Sequence, residues 1–462
     1  MKTRVWQQET QRYRFLPGLL IGFLLMGAME AAAASPGQRL TLEQCLERAL
    51  TYSPDVTEAQ TDIRIAESQL AQAKAGRLPQ ANFTSINGVI NGAKGNAVTG
   101  RTDNSDLGPF TRGELEIVQP LYTFGRLSSE ILAASRGVDA KRAATQRTRE
   151  TTIAAVKELY YNLLLSRQLK ELLDEVRENF TKALDTAEKR LETGEGTITQ
   201  QDILKLRIGL ASVTREVYTL DRAIAVTRSA LLRQVGIPST DDADIADTRL
   251  EPVTVQLQPL SSYLEQAGIH RADIAQLEAG LAARQARVEA ARGAYYPSFF
   301  IAGGVRYARA PNREDQESPF AKDDFNYFQG GAALGLRWQL DVWMTHAKVA
   351  ERLAELSKLE VQKQNATSGI ALDIQRRYLE VQETQQKMDE AQEARRAVRA
   401  LLAITLANFE LGVGEGKEVF ESLGLYARIV SDYYTSVRDY NIAAAQLTQA
   451  TGQEVTTLSY RR

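Results

Sequence analysis

The chain has one cysteine, two histidines and, beyond its amino terminus, no long apolar run. A single cysteine, Cys45, excludes an intrachain disulfide. On the first expected helix it reads as a small buried apolar residue. His270 and His346 flank the helices of the second half, and neither has a partner at metal-ligand spacing. Gly194 and Gly196 are not followed by the lysine and serine of a phosphate loop, and no Gly-x-Ser-x-Gly turn occurs. These absences point away from an enzyme: no catalytic residue, cofactor or metal is expected. A net charge of −2 gives no electrostatic case for nucleic acid. The acidic run Asp241, Asp242 and Asp244 lacks the glycine and terminal glutamate of a calcium loop and reads as solvated loop.

The one apolar run is at the start. Lys2, Arg4, Arg12 and Arg14 precede apolar residues from about Leu16 to Met29, and Ala31 to Ala34 lead into Ser35-Pro36. This pattern predicts a signal peptide over 1–34, cut between Ala34 and Ser35. The run is short for a membrane-spanning helix. Cys45 lies well past the cut, so lipid attachment at a new amino-terminal cysteine is not supported.

Proline is also scarce where it matters. All twelve prolines fall outside 121–237 and 320–462. From about Gly125 to Leu191 the only internal glycine is Gly137, and Leu169, Leu173, Val176, Phe180, Ala183, Ala187 and Leu191 recur at spacings of three and four. That spacing predicts a helix packed along another helix, roughly 100 Å long at 1.5 Å per residue. A second seam follows the glycines at 194 and 196: Ile203, Leu206, Leu210, Val213, Val217, Leu220, Ile224 and Leu231. The two seams make an antiparallel helical hairpin. The pattern then recurs. Tyr160 and Tyr378 stand 218 residues apart, as do Gly194 and Gly412, and Pro79 and Pro297. Val419, Leu423, Tyr426, Val430, Tyr433, Val437, Tyr440, Ala444 and Leu447 form the matching last seam. The chain reads as one unit written twice.

Between the helices the period falls to two. Four strands are expected, near 80–91, 111–121, 298–310 and 326–340, with 91–109 and 310–324 as polar loops and Pro120 closing the second strand. Leu115, Ile117, Phe299, Ile301, Val305, Leu334 and Leu336 fall on apolar faces. Glu114, Glu116, Arg306, Arg337 and Gln339 fall on the opposite, lumen-facing side. Tyr122, Phe124, Tyr295, Tyr296, Trp338 and Trp343 cluster at strand ends, where an aromatic girdle belongs. A sheet crossing a bilayer must close, and four strands cannot, so two or more chains must share one barrel. The alternative is a non-conducting helical stalk with a soluble β-layer, adhesin-like, on the cell surface.

The order helix, strand hairpin, long helix, glycine tip, helix, written twice, resembles the TolC-family outer-membrane efflux proteins. The most specific pieces are Val118-Gln-Pro-Leu-Tyr-Thr-Phe-Gly-Arg126, Gly412-Val-Gly-Glu-Gly-Lys-Glu-Val-Phe-Glu421 and Ala444-Ala-Gln-Leu-Thr-Gln-Ala-Thr-Gly452. The resemblance implies a mainly α fold with a small β part. The first repeat would span 35–236 with its long helical hairpin at about 125–235, an equatorial segment 237–259, and the second repeat 260–452 with its hairpin at about 344–451. A tail covers 453–462. It implies a homotrimer with a twelve-stranded barrel in outer-membrane lipid, continuous with a twelve-helix periplasmic tube. It implies a passive exit channel for efflux or type I secretion, docking a periplasmic adaptor through Gly194, Gly196, Gly412 and Gly414, with an inner-membrane pump supplying energy. Glu418 and Glu421, with Asp202 in the first repeat, match the family's acidic periplasmic gate, although the family usually carries aspartates at the first two positions. In such assemblies the pump and adaptor choose the cargo.

Overall fold

The computed structural model describes residues 37–452 other than 38, 96–97, 195–197, 239–240, 317–319 and 321. The expected signal cut, Gly196 and the tail from 453 lie outside the described residues. The elements run β1 (Arg39–Leu40), α1 (Leu42–Tyr52), α2 (Pro54–Ala75), β2 (Gln80–Lys94), β3 (Arg101–Tyr122), α3 (Arg126–Thr193) and α4 (Gln200–Gln234). They continue with β4 (Asp244–Ile245), α5 (Leu260–His270), α6 (Ala272–Arg292), a short 3-10 turn, β5 (Ser298–Arg309), β6 (Tyr327–Arg337), α7 (Val342–Glu410) and α8 (Gly416–Thr451).

Two helices set the length. α3 has 68 residues and α7 has 69, roughly 100 Å each. α4 and α8, at 35 and 36 residues, cover about half of that. The rest is covered by α2 and α6, which stack end to end on α4 and α8. At the first joint Gly236 takes a left-handed φ of 68°, and a Cβ there would sit 2.6 Å from that of Tyr52. Gln234 Nε2 donates to Ser53 Oγ at 3.3 Å and Asp55 Oδ2 at 3.2 Å. At the second joint Arg271 Nη1 donates to the carbonyl of Ala450 at 3.0 Å, covering an end of α8 that helix geometry leaves open. α3 therefore packs against α2 and α6 near the sheet and against α4 and α8 farther away.

The seams are where the core lies. All nine expected apolar positions of α8 are buried. The first four, Val419 to Val430, meet Leu172, Val176, Phe180, Ala183 and Ala187 of α3, Ile203 and Leu206 of α4, and Val398, Leu402 and Phe409 of α7. A second core at the stacking joints gathers α1, with Cys45 fully buried, against Val156, Tyr160 and Leu163. The segment between α4 and α5 belts these helices. Its β4 pairs in parallel with β1, Tyr160 donates to Asp247 Oδ2 at 2.7 Å, and Asn441 Nδ2 donates to the carbonyl of Glu251 at 2.8 Å. The acidic run is thus partly engaged rather than free: Asp244 is paired with Arg167.

The four long strands form one antiparallel sheet in the order β2-β3-β5-β6. Three expectations are corrected here. The loop expected over 91–109 is largely strand: β2 runs to Lys94 and β3 starts at Arg101, with a register shift between Asn91 and Gly92. Pro120 does not close β3, because the irregularity between Pro120 and Tyr122 absorbs its missing N–H. β6 stops at Arg337, so Gln339 lies outside the ladder. There the Trp338 indole N–H donates to the carbonyl of Tyr295 at 3.1 Å, and Asp341 turns the chain into α7 by accepting from Met344 N.

Candidate functional site

The register puts the sheet's side chains on two unlike faces. On one, Phe83, Val89, Ile117, Ile301, Val305, Phe328, Leu334 and Leu336 are all 40–75% exposed, with nothing of this chain over them. Such a continuous apolar surface is not left to water by a soluble protein. On the other, Glu114 lies opposite Arg306, and Arg306 Nε meets Glu114 Oε1 at 2.8 Å. Arg112 approaches the same carboxylate at 3.5 Å. Glu116 is on this face, opposite Gly304, and so is Arg337, opposite Ser298. Much of the remainder is small: Ala302, Gly304, Gly331, Ala333 and Gly335. At the helix end of the sheet Tyr122, Phe124, Tyr296 and Phe299 gather, with Phe124 stacked on Tyr296 at 5.1 Å. Trp338 and Trp343 stand exposed nearby in sequence.

The far end of the molecule holds the two helical turns. Gly194 and Gly412 take left-handed φ of 69° and 82°, which glycine adopts without a Cβ penalty. Gly414 is pressed to the backbone at Phe409, where a Cβ would come within 3.0 Å of its nitrogen. Thr199 caps α4: its hydroxyl accepts from Asp202 N, and Asp202 Oδ2 accepts from Thr199 N at 3.0 Å and Thr199 Oγ1 at 2.6 Å. Asp202 is therefore buried. It also lies against the first residue of α8, since a Cβ on Gly416 would be 2.6 Å from its Cβ. Glu418 and Glu421 are exposed on the first turns of α8, with Lys417 Nζ 3.8 Å from Glu421. The structure brings Asp202 and the start of α8 together, and among the described residues it gives the Asp202 carboxylate hydrogen-bond partners that those of Glu418 and Glu421 lack.

One tip residue escaped the sequence. Arg190, in the last turn of α3, donates to the carbonyls of Phe409 at 2.5 Å and Glu410 at 2.7 Å, with its guanidinium 5.5 Å from the Phe409 ring. It closes the carbonyl end of α7 and ties the two hairpins together. No local pattern signals it, because its partners lie 219 and 220 residues away. The Thr199 cap was missed as well, although a threonine followed three residues later by an acid is a signal that could have found it.

A family model described as outer membrane efflux protein matches residues 45–236 and again 263–453. The chain belongs to that family. Among curated proteins it is 28% identical over 301 residues to the pyoverdine export outer membrane protein OpmQ of Pseudomonas putida, covering 63% of this chain and 60% of that one. It is 24% identical over 263 residues to the cation efflux system protein CusC of Escherichia coli, covering 57% and 55%. The matches thus span little more than half of those relatives. Among solved structures the outer-membrane channel OprN superposes with a TM-score of 0.73 at 16% identity, over 92% of this chain and 95% of that one, a likeness of fold. Members of this TolC family are outer-membrane channels and not enzymes, and the outer membrane is where this chain resides. No described helix is long and apolar enough to cross a membrane.

Proposed function

We propose that this TolC-family chain is the passive exit duct of a tripartite efflux or type I secretion assembly. Three copies close a twelve-stranded barrel that continues into a twelve-helix periplasmic tube. The carrying observation is that the chain is unfinished along the same two sides from end to end. In the sheet, β2 and β6 are edges with unpaired backbone groups. In the helical part, α4 leaves Leu204, Ile208, Tyr218 and Val226 exposed, and α7 leaves Leu372, Leu379, Leu401 and Ile404 exposed. A neighbour that supplies β6 to β2 also sets its α7 beside α4, so one symmetric contact covers both. Open edges in lipid are too costly to persist. A stalk without a pore would have no use for a sheet with one apolar face and one charged face.

In this reading Glu114, Glu116, Arg306 and Arg337 face the lumen. Glu418 and Glu421 ring the periplasmic entrance, with Asp202 behind them. Gly194, Gly196, Gly412 and Gly414 present the tips to a periplasmic adaptor, and an inner-membrane pump drives transport. Purified protein in detergent should have the mass of three chains and conduct ions in planar bilayers; a monomer, or a silent bilayer, overturns the proposal. E418Q/E421Q should change conductance or cation block, and unchanged traces would remove these residues from the gate.

A further inference from the structure

The lumen face of the sheet is not evenly charged along its length. Toward the outer loops its charges balance, two acids against two arginines: Glu114 is held between Arg306 at 2.8 Å and Arg112 at 3.5 Å, and Glu116 lies on the same face. At the helix end stands Arg337, exposed, opposite Ser298 and without an ion-pair partner among the described residues. The closest acid on the same face of the sheet is Glu116, which is level with Gly304. Gly304 is six residues along β5 from Ser298, so about 20 Å separates the two levels at 3.3 Å per residue. That is more than twice the screening length of about 8 Å in physiological salt. Asp341, four residues on, lies beyond the sheet, and its carboxylate accepts from Met344 N at the start of α7.

Arg337 is also held in place. Its guanidinium lies 5.3 Å from the centre of the Phe300 ring. That ring lies flat on the sheet because its cross-strand neighbour is Gly335: a Cβ there would come within 2.4 Å of Phe300 Cζ. The missing side chain at 335 leaves a shelf, and the shelf carries the charge. Its π face attracts the cation without neutralising it.

We infer that Arg337, seated on Phe300 over Gly335, forms a basic ring where barrel meets tube, which draws anionic solutes and the carboxylate or phosphate groups of larger cargo. This rests on the trimeric channel reading above. Three arginines at roughly 10 Å from the axis, screened over about 10 Å at 0.1 M salt, raise the local anion concentration about twofold and lower that of cations equally. Charged rings set ion preference in pores this way.

The test is the reversal potential of purified trimers in planar bilayers under a tenfold KCl gradient. R337Q should raise the potassium-to-chloride permeability ratio about two- to fourfold. R337K, which keeps the charge, should stay near the parent value. S298D, which sets a carboxylate directly opposite Arg337, should reproduce the R337Q shift by a route that leaves the arginine in place. If R337Q fails to assemble, S298D carries the test. Conducting R337Q or S298D channels with the parent's reversal potential overturn the basic ring while leaving the channel standing. A parent protein that does not conduct overturns the channel reading and the ring with it.

Discussion

Gly209 lies inside α4, where a glycine costs about 0.8–1 kcal/mol relative to alanine. Its environment explains it. A Cβ at 209 would sit 2.5 and 2.7 Å from the Cε1 and Cζ atoms of Phe180, and 3.1 Å from Cδ2 of Phe420. Carbon atoms in ordinary contact are about 3.5–4 Å apart, so the Phe180 ring would have to move by about 1 Å. It has little room: Phe180 is 2% exposed and leans on the Phe420 ring, centroids 6.2 Å apart. Overpacking a core of this kind costs about 1–3 kcal/mol. Set against the helix gain, G209A should be destabilised by about 0–2 kcal/mol. Gly137 in α3 is the control, because a Cβ there meets nothing within 4 Å, and α3 is flanked on both sides by its own chain's α2 and α6. G137A should be stabilised by about 0.5–1 kcal/mol. The same substitution in two helices thus moves stability in opposite directions. Thermal midpoints from far-ultraviolet circular dichroism, at one scan rate in one detergent, measure the gap. At about 1–2 °C per kcal/mol for a chain of this size, G137A should melt a few degrees above G209A. The double variant F180L/G209A should lose less than the two single variants summed, because the smaller side chain vacates the space. If G209A gains as much as G137A, the Phe180–Gly209 packing argument fails.

Three further outcomes follow from the tip and the joints. R190A frees two carbonyls at the end of α7, each hydrogen bond to a charged group being worth about 1.5–3 kcal/mol. Limited proteolysis at Glu410 and Glu415 should accelerate at least tenfold, and an unchanged rate would mean that Arg190 does not tie the hairpins. Burial pushes the Cys45 thiol up to about 12, with Arg48 opposing and Asp247 and Glu43 adding. Iodoacetamide at pH 8 should therefore label the folded protein far more slowly than the denatured one, and equal rates would place Cys45 outside the core. Burial raises the Asp273 carboxyl, but the hydrogen bonds and charge of Arg271 outweigh it and hold the group below its ordinary range. A depressed folded value contributes stability above the unfolded value, lost as pH falls through the folded one. D273N should then lower the melting point at pH 7, and by progressively less as pH falls below the ordinary carboxylate range; a loss undiminished through acid pH would show that packing, not charge, was removed.

The last helix was legible because its apolar seam is covered by helices of the same chain. Val419 through Leu447 repeat at heptad spacing, and each is buried. The β5–β6 pair was legible for a related reason: one face is apolar and the other carries mostly small or charged residues, so Phe299–Tyr307 and Phe328–Leu336 largely alternate. The outer part of β2–β3 carries no such signal. From Asn91 to Pro109 both faces are polar, and the ladder bonds and Asn312, which donates to the carbonyls of Ile90 and Asp106, hold it as strand. A composition rich in Gly, Asn and Asp then reads as loop even though the backbone is paired.

The tip divides in the same way. Gly194 and Gly412 were legible because reversing a helix calls for a residue free to take positive φ. Arg190 was not, because its partners belong to the other repeat. Asp202 was legible as an acid in the right place, and the structure assigns its oxygens a different use. Its carboxylate accepts from both the amide and the hydroxyl of Thr199, at 3.0 and 2.6 Å, and is buried against Gly416. A carboxylate so held fixes the start of α4 against the start of α8. Both of these hydrogen bonds fall on Oδ2. If three copies do build a gate, its field comes from Glu418 and Glu421, whose carboxylates are exposed, and Asp202 sets the geometry of the helix ends that carry them.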